Sequence, residues 1–583
     1  MKFVNTLTQK LRPDPLTPGS PFEFERVSPA ARVPRQVPAA HFSFVPPTFQ
    51  PDAKLLSVSR RGLELIGLRP DAAEHDADFL LGLTSGNEVP SGTNPWALNY
   101  GGHQFGSWAQ QLGDGRAICL GEIEVANKDG STQRMELQLK GAGMTPYSRF
   151  ADGFAVLRSS IREYLAAEAM HSLGVPTSRS LSLVLSSRGV AREEGLEPGA
   201  VVCRLAPSWI RFGSFEVLYW RGQLEMLKEL ADYTIENHFP HVLSESARIA
   251  NERAATNSTA ALTFQEQLAF NKYILWIKSV VEKTADMIAH WQSVGFCHGV
   301  MNTDNFSILG LTIDYGPYQF LNTFEPGYIC NHSDHTGRYA FNQQPRMAMW
   351  NLVRLVNVLD PLLATRLPSK DSPIPKEEEE AIMKALGETV HLFGPRYEMK
   401  FNELMGKKLG FLTALEDDLD VVHQPLLKLL FEAQLDYTLF YRTFSESVEQ
   451  VLEAGAMPDA LFDQFYKFSF KAKNEWDSET GEKSLKTRFQ DWTQVYIQRL
   501  ETDKDAKSSL KSRMLNANPK FILRNHIVQK VIDEVTVDPT SSVIDRYLRV
   551  LENPFENGSE ADEREFGGAV PALLRDLKCS CSS

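Results

Sequence analysis

The sequence predicts an α+β chain, with a strand-rich first part built around one helix and then helices almost to the end. Two observations carry this. Between residues 55 and 215, segments such as ICLGEIEVA and MELQLKG alternate apolar and polar positions between turn residues, the period-2 signature of half-buried strands. From residue 216 onward apolar residues recur every three to four positions, the period of an amphipathic helix.

Taken in order, residues 1–54 repeat proline among short apolar pieces (RPDPLTPGSPFEF, FVPPTF) and are expected to form an extended arm laid over a core. Next come ICLGEIEVA and MELQLKG, strands joined by the turn NKDGS, and later LSLVLSSRGVAREE with AVVCRLA as a second antiparallel pair. Between the pairs, VLRSSIREYLAAEAMHSLGV reads as a helix with Leu157, Ile161 and Leu165 on one face, stopped by Gly174 and Pro176. This β-β-α-β-β order occupies residues 55–215. Residues 216–400 open with two amphipathic runs, EVLYWRGQLEMLKELADYTIENHF and NKYILWIKSVVEKTADMIAHWQSVG, the second ending at Gly295. A loop flanked by two short apolar strands follows, FCHGVMNTDNFSILGLTIDYG. After the polar stretch PSKDSPIPKEEEE, residues 401–583 are expected to be a helical extension with a loop-like tail, NPFENGSEADEREFGGAVP.

Composition narrows the function. The 583 residues are 43% hydrophobic and, with 61 basic against 74 acidic side chains, carry a net charge of −13. Disordered, collagenous and disulfide-dense classes are excluded. An acidic chain is poorly suited to nucleic acid or an anionic membrane, both of which reward excess Lys and Arg. No run of ~18 apolar residues marks a transmembrane helix, and the N-terminus lacks the apolar stretch of a secretory signal. Cys119, Cys203, Cys297 and Cys330 are scattered in apolar surroundings and read as reduced core thiols; only Cys579 and Cys581 are close in sequence. The expectation is a monomeric enzyme in a reducing compartment.

Two features point to phosphate chemistry. GGHQFG (101–106) and LGDGRA (112–117) place glycines just before a strand, where backbone N–H groups approach a polyphosphate closely, and Arg116 adds a guanidinium. The second feature is an ordered set. Lys140 ends a strand and Glu163 lies 23 residues later in the following helix; His298 is followed by Asn305 seven residues on, and Asp314-Tyr315-Gly316 begins nine residues after that. Protein kinases use this order, a strand Lys paired with a helix Glu, then an Asn and an Asp that hold divalent metal. The fold expected is therefore a bilobal, protein-kinase-like α+β core with an N-terminal arm and a C-terminal helical extension. One position breaks the pattern: Val300 stands where kinases carry their catalytic Asp, and Asp304 is the carboxylate offered by the same loop.

The stretches NYGGHQFGSWAQQLGDGRA, LQLKGAGMTPYSRFADG, RLAPSWIRFGSFE, HGVMNTDNFSILGLTIDYGP and YICNHSDHTGRYAFNQQP resemble the selenoprotein O family, over about residues 40–360 and again at the terminal CSCSS. That resemblance implies a kinase-like fold that binds ATP in a flipped orientation and transfers AMP to hydroxyls of protein substrates. It implies nucleotide contacts from Gly113, Gly115, Arg116, Lys140, Asp152 and Gly153, phosphate contacts from Arg204 and Arg211, Asp304 as proton acceptor, and Asn305 and Asp314 as ligands of Mg2+ or Mn2+. Glu163 would orient Lys140, and the resemblance implies a cytoplasmic protein if the source is bacterial and a mitochondrial one if it is eukaryotic. Phe154 departs from the family, which more often has Arg or Lys there. The antepenultimate residue, selenocysteine in some members, is Cys581 here, so a redox-active thiol is expected. Cys330, His332 and His335 have ligand-like spacing but lack a fourth partner, and a hydrogen-bonded loop is the favoured reading. UMP transfer, residual phosphotransfer and a catalytically silent pseudokinase scaffold are the competing functions. The retention of Lys140, Glu163, Asn305 and Asp314 together favours an enzyme.

Overall fold

A computed structural model of the chain describes residues 1–17, 29–126, 130–193, 195–256, 263–369, 371–477, 483–504, 507–575 and 577, so the Cys579 and Cys581 thiols lie outside the described residues. The strands are β1 (Phe42–Phe44), β2 (Lys54–Val58), β3 (Trp96–Leu98), β4 (His103–Gln104), β5 (Ser107–Trp108), β6 (Ala117–Ala126), β7 (Thr132–Lys140), β8 (Ala155–Val156), β9 (Arg179–Arg192), β10 (Gly195–Ala206), β11 (Phe296–Cys297) and β12 (Gln319–Phe320). Eight of them form one sheet of antiparallel pairs in the order β1-β3-β6-β7-β10-β9-β2, with β8 alongside β10. The α+β class and both expected strand pairs are present. Among the described residues no helix is long and apolar enough to cross a membrane.

Register is what matters for function. In β7 and β10, Arg204 lies opposite Gln138 and Val202 opposite Lys140. Side chains alternate faces along a strand, so Gln138 and Lys140 share a face and a directly opposed Arg204 shares it with them. The helix Leu157–Ser172 crosses β9 and β10. Its far side is covered by two helices from the end of the chain, Asn525–Val537 and Val543–Glu552. Arg162 fastens this contact, donating to Asn525 Oδ1 at 3.0 Å and to the Tyr318 carbonyl at 2.8 Å. Buried residues from Phe521 to Leu551 thus join the core around Leu157–Ser172, whereas Met405 to Met514 enclose a separate aromatic core around Phe440, Trp476 and Phe489.

Three expectations are corrected. The arm is partly built into the sheet: β1 pairs with β3 at its edge, and buried Glu122 of β6 accepts from the Thr6 hydroxyl at 2.7 Å and the Leu7 N–H at 3.2 Å, docking the short helix Thr6–Lys10. A three-residue strand is too short to show alternation. The run from residue 216 to 239 is two helices, Phe212–Trp220 and Leu224–His238, because Gly222 turns the chain at φ +68°. The loop-like tail contains a helix, Glu560–Phe566, started by reciprocal hydrogen bonds between Ser559 and Asp562.

Candidate active site

The β7/β10 register delivers the first half of the site. Lys140 Nζ lies 2.7 Å from Glu163 Oε2 and 3.6 Å from Asp314 Oδ1. Arg204 Nη1 lies 2.7 Å from Glu163 Oε1 and 2.6 Å from Asp314 Oδ1, its Nη2 donates to Gln138 Oε1, and its guanidinium stacks 4.3 Å over Trp209. Arg211 enters from the far side. Backbone bonds of Phe212 N–H to the Phe306 carbonyl and Ile308 N–H to the Ile210 carbonyl stitch its segment to the loop that carries Asp304. Its Nη1 donates to Asp314 Oδ2 at 2.7 Å and to the Asp304 carbonyl at 2.8 Å, with the guanidinium 4.3 Å over Tyr100.

Three cations therefore converge on one carboxylate. Burial alone would raise the Asp314 pKa, but Arg211, Lys140 and Arg204 outweigh it and hold the group well below the usual carboxylate range. Asp314 has φ +56°, a left-handed conformation that costs a non-glycine residue about 1–3 kcal/mol and that Asp tolerates better than most. Burial lowers the Lys140 pKa, and Glu163 opposes it.

The loop after β11 supplies the second half. His298 is buried and kept neutral by desolvation; its Nε2 bonds the Ile313 carbonyl at 3.0 Å and its ring stacks on Trp291. It is a strut between the Asp304 loop and Asp314. Asn305 donates its Nδ2 to the Val300 carbonyl at 3.0 Å, which turns its amide oxygen away from that bond. Asp304 Oδ2 accepts from Gln104 at 3.3 Å, while Oδ1 is buried with no hydrogen-bond partner among the described residues. Burial raises the Asp304 pKa to about 7 against the opposing charge of Arg211. Gly102 makes this enclosure: a Cβ there would sit 2.6 Å from Asp304 Oδ1.

Around the glycine loop, the Asp114 carboxylate accepts from Leu98 N–H at 3.0 Å and Gln138 Nε2 at 3.3 Å, and its carbonyl accepts from Thr145 at 2.7 Å. Gly113 and Gly115 press on Tyr147, where a Cβ would come within 2.4 and 2.9 Å. These glycines are spent partly on packing against the chain's own turn. Arg116 pairs with no acidic side chain among the described residues, and its charge is felt at Lys140 and Asp152. Asp152 is bound by Arg192 at 2.9 Å, and Gly153, at φ +78°, packs on Gly143 and Met144. Arg188 stacks 4.3 Å over Phe154, placing a cation beside a position whose own side chain carries none. The structure thus brings Lys140, Glu163, Arg204, Arg211 and Asp314 into direct contact, with Asp304 and Asn305 tied in through Arg211 and the loop backbone. Asp152 and Gly153 form a neighbouring group without a hydrogen bond to Asp304 or Asp314 among the described residues. Gln138, Asp114 and Gln104 were not expected. Gln138 was within reach of sequence reasoning, since it lies two residues before Lys140 on the same strand face.

Asn305 and Asp314 offer an amide and a carboxylate oxygen, the donor set of a hard divalent cation. No group of three or more His, Cys, Asp or Glu side chains gathers among the described residues, so a cation there would complete its shell with nucleotide oxygens and water. The Cys330 loop is tied to the site as a loop: Asn331 donates to the Gly299 carbonyl at 2.9 Å, and the Tyr339 hydroxyl donates to Asn302 at 2.8 Å.

Residues 33–552 match the family model described as "Protein adenylyltransferase SelO". The chain is 39% identical over 554 residues to the protein nucleotidyltransferase YdiU of Thioalkalivibrio sulfidiphilus, covering 95% of this chain and 97% of that one. It is 40% identical to its counterpart in Cupriavidus metallidurans (93% and 89% covered) and 38% to that of Myxococcus xanthus (94% and 97%). The chain belongs to the SelO family of protein adenylyltransferases and is a nucleotidyltransferase that uses ATP.

Proposed function

We propose that this SelO-family enzyme moves AMP from ATP to a Ser, Thr or Tyr hydroxyl of a protein substrate and releases pyrophosphate. The observation that carries the reading is the pairing of a three-cation cluster, Lys140, Arg204 and Arg211, with Asp304, a nearby carboxylate whose buried Oδ1 has no hydrogen-bond partner among the described residues. A two-lobed kinase-like core, with residues 55–215 and 216–400 as its lobes and 401–583 as its extension, is part of the same proposal.

In this mechanism the acceptor hydroxyl donates its hydrogen to Asp304 Oδ1, and its oxygen attacks the α-phosphorus. One P–O bond forms, the bond from the α-phosphorus to the bridging oxygen breaks, the proton rests on Asp304, and pyrophosphate leaves. Asp304 suits the task because a base titrating near neutrality accepts the proton without being permanently neutral. Lys140 and the two arginines are preorganised for the charge that builds on the leaving group. Arginine matches phosphate oxygens in pairs, and both guanidiniums are already oriented by aromatic faces. A Mg2+ or Mn2+ ion held by Asn305 and Asp314 would add charge neutralisation at the phosphates. Gly113, Gly115 and Arg116 on one side and Asp152 and Gly153 on the other would border the nucleotide. Val300 removes the base from its kinase position, so the reacting phosphorus is the one presented to Asp304.

Labelled ATP tests this. Protein should become labelled from the α-phosphate and remain unlabelled from the γ-phosphate, and Asp304→Asn should abolish the signal; incorporation of γ-label instead would overturn the reading.

A further inference from the structure

The hairpin β4–β5, whose Gly102 encloses Asp304, is also one edge of a cationic, aromatic surface that the chemistry above does not use. His103 packs edge-on to Trp350 with ring centroids 5.6 Å apart, and Phe105, at the hairpin tip, lies tilted at 41° against Tyr339 with centroids 5.1 Å apart while remaining 43% exposed. Trp350 lies on the helix Gln344–Leu359, and Arg346 and Arg354 sit one turn to either side of it on the same stripe. Arg354 stacks 5.0 Å from the Trp350 ring, and Arg338, from the loop before the helix, lies 4.7 Å from it. None of these three arginines has an acidic partner among the described residues. In a chain of net charge −13, one exposed guanidinium (Arg346) and two half-buried ones (Arg338, Arg354) around the half-buried Trp350 are an unbalanced local charge. The surface is bolted to the reacting loop: Phe105 N–H donates to the Tyr339 hydroxyl at 3.0 Å, and that hydroxyl donates to Asn302, two residues before Asp304.

We propose that this stripe docks an acidic segment of the protein substrate, placing the acceptor hydroxyl at Asp304. Carboxylates would pair with Arg338, Arg346 and Arg354, and an apolar residue next to the acceptor would cover Phe105. The argument for the occupant is charge complementarity, since bidentate Arg–carboxylate pairing is the contact these groups lack. The proposal rests on protein being the substrate, so its test reads binding separately from transfer.

The probe is a fluorescein-labelled peptide with one Tyr flanked by Asp and Glu, compared with the same peptide carrying Asn and Gln. Fluorescence anisotropy should show the acidic peptide binding about tenfold or more tightly, as several exposed ion pairs together provide, with the difference shrinking in salt. Arg346→Glu combined with Arg354→Glu should erase that preference while the ATP-induced rise in melting temperature is retained. Arg346→Gln alone, at an exposed position, should weaken the acidic peptide with no change in fold. Equal binding of the two peptides, an unchanged preference in the variants, or tighter binding of a short single-stranded RNA than of the acidic peptide would each overturn the docking role. Absence of α-label transfer by the wild type despite acidic-peptide binding would instead count against the transfer reaction and leave the docking surface standing.

Discussion

Two buried lysines show how differently this chain treats a charge. Lys140 sits between Glu163 and Asp314 with two arginines beside it, in a setting where every cation has an acidic partner. Lys408 is buried in the aromatic core of the C-terminal helices, 4.4 Å from the face of Tyr441 and 5.5 Å from that of Tyr437, with no acidic partner among the described residues. Burial pulls its pKa down to about 7. Both sites carry the desolvation cost of a buried ammonium, and only one offsets it with carboxylates. In the proposed mechanism, the difference separates a charge kept for binding phosphate from a charge that the fold merely tolerates.

Removing each lysine should therefore have opposite consequences. Lys140→Met leaves Glu163 with Arg204 as its remaining partner and removes a preorganised cation, so adenylyl transfer should fall by about 10²–10³-fold with the fold intact by circular dichroism, the cost of losing one such donor. A variant of near-normal rate would place the phosphate-binding charge elsewhere. Lys408→Met should leave transfer unchanged and raise the melting temperature at pH 7. The pH dependence sharpens this. An unfolded lysine titrates near 10.4, so between about pH 7 and about pH 10.4 the unfolded state binds more protons than the folded one, and stability rises with pH in that window. Wild-type protein should gain stability from pH 7 to pH 9, and Lys408→Met should lose that slope; an identical slope in both would mean that Lys408 is solvated. A smaller loss of transfer than at Lys140 is expected at Gln138, which touches the chemistry only through Arg204. Gln138→Leu should lower transfer about tenfold, the cost of one unsatisfied buried partner, with the loss in kcat and little change in the KM for ATP. Loss of ATP binding in that variant would make Gln138 a ligand contact.

The parts of the site that lie close together in the chain were legible in the sequence. Asp304, Asn305 and Asp314 stand within one loop, and Lys140 and Glu163 lie on one strand and the next helix, so the kinase-like order of the set predicts that they meet. Arg204 and Arg211 were reached only through the family resemblance, because their convergence on Asp314 depends on pairings across more than a hundred residues. Gln104 and Asp114 left no local signal at all, since a glutamine in a hairpin and an aspartate between glycines are ordinary turn residues until the sheet brings them to Asp304 and Gln138. The fold followed the same rule. Long strands and long amphipathic helices were readable, whereas β1, three residues, and the helix Glu560–Phe566, seven residues, are too short to show a period.

The central claim is that the cation cluster receives a departing pyrophosphate while Asp304 takes the acceptor proton. The most direct measurement counts products in a single reaction of purified enzyme, ATP and an acceptor protein. Each adenylyl group found on the acceptor by mass spectrometry should be matched by one pyrophosphate, with no ADP formed, and both products should vanish together in Asp304→Asn. ADP released in step with phosphorylated acceptor would contradict the account.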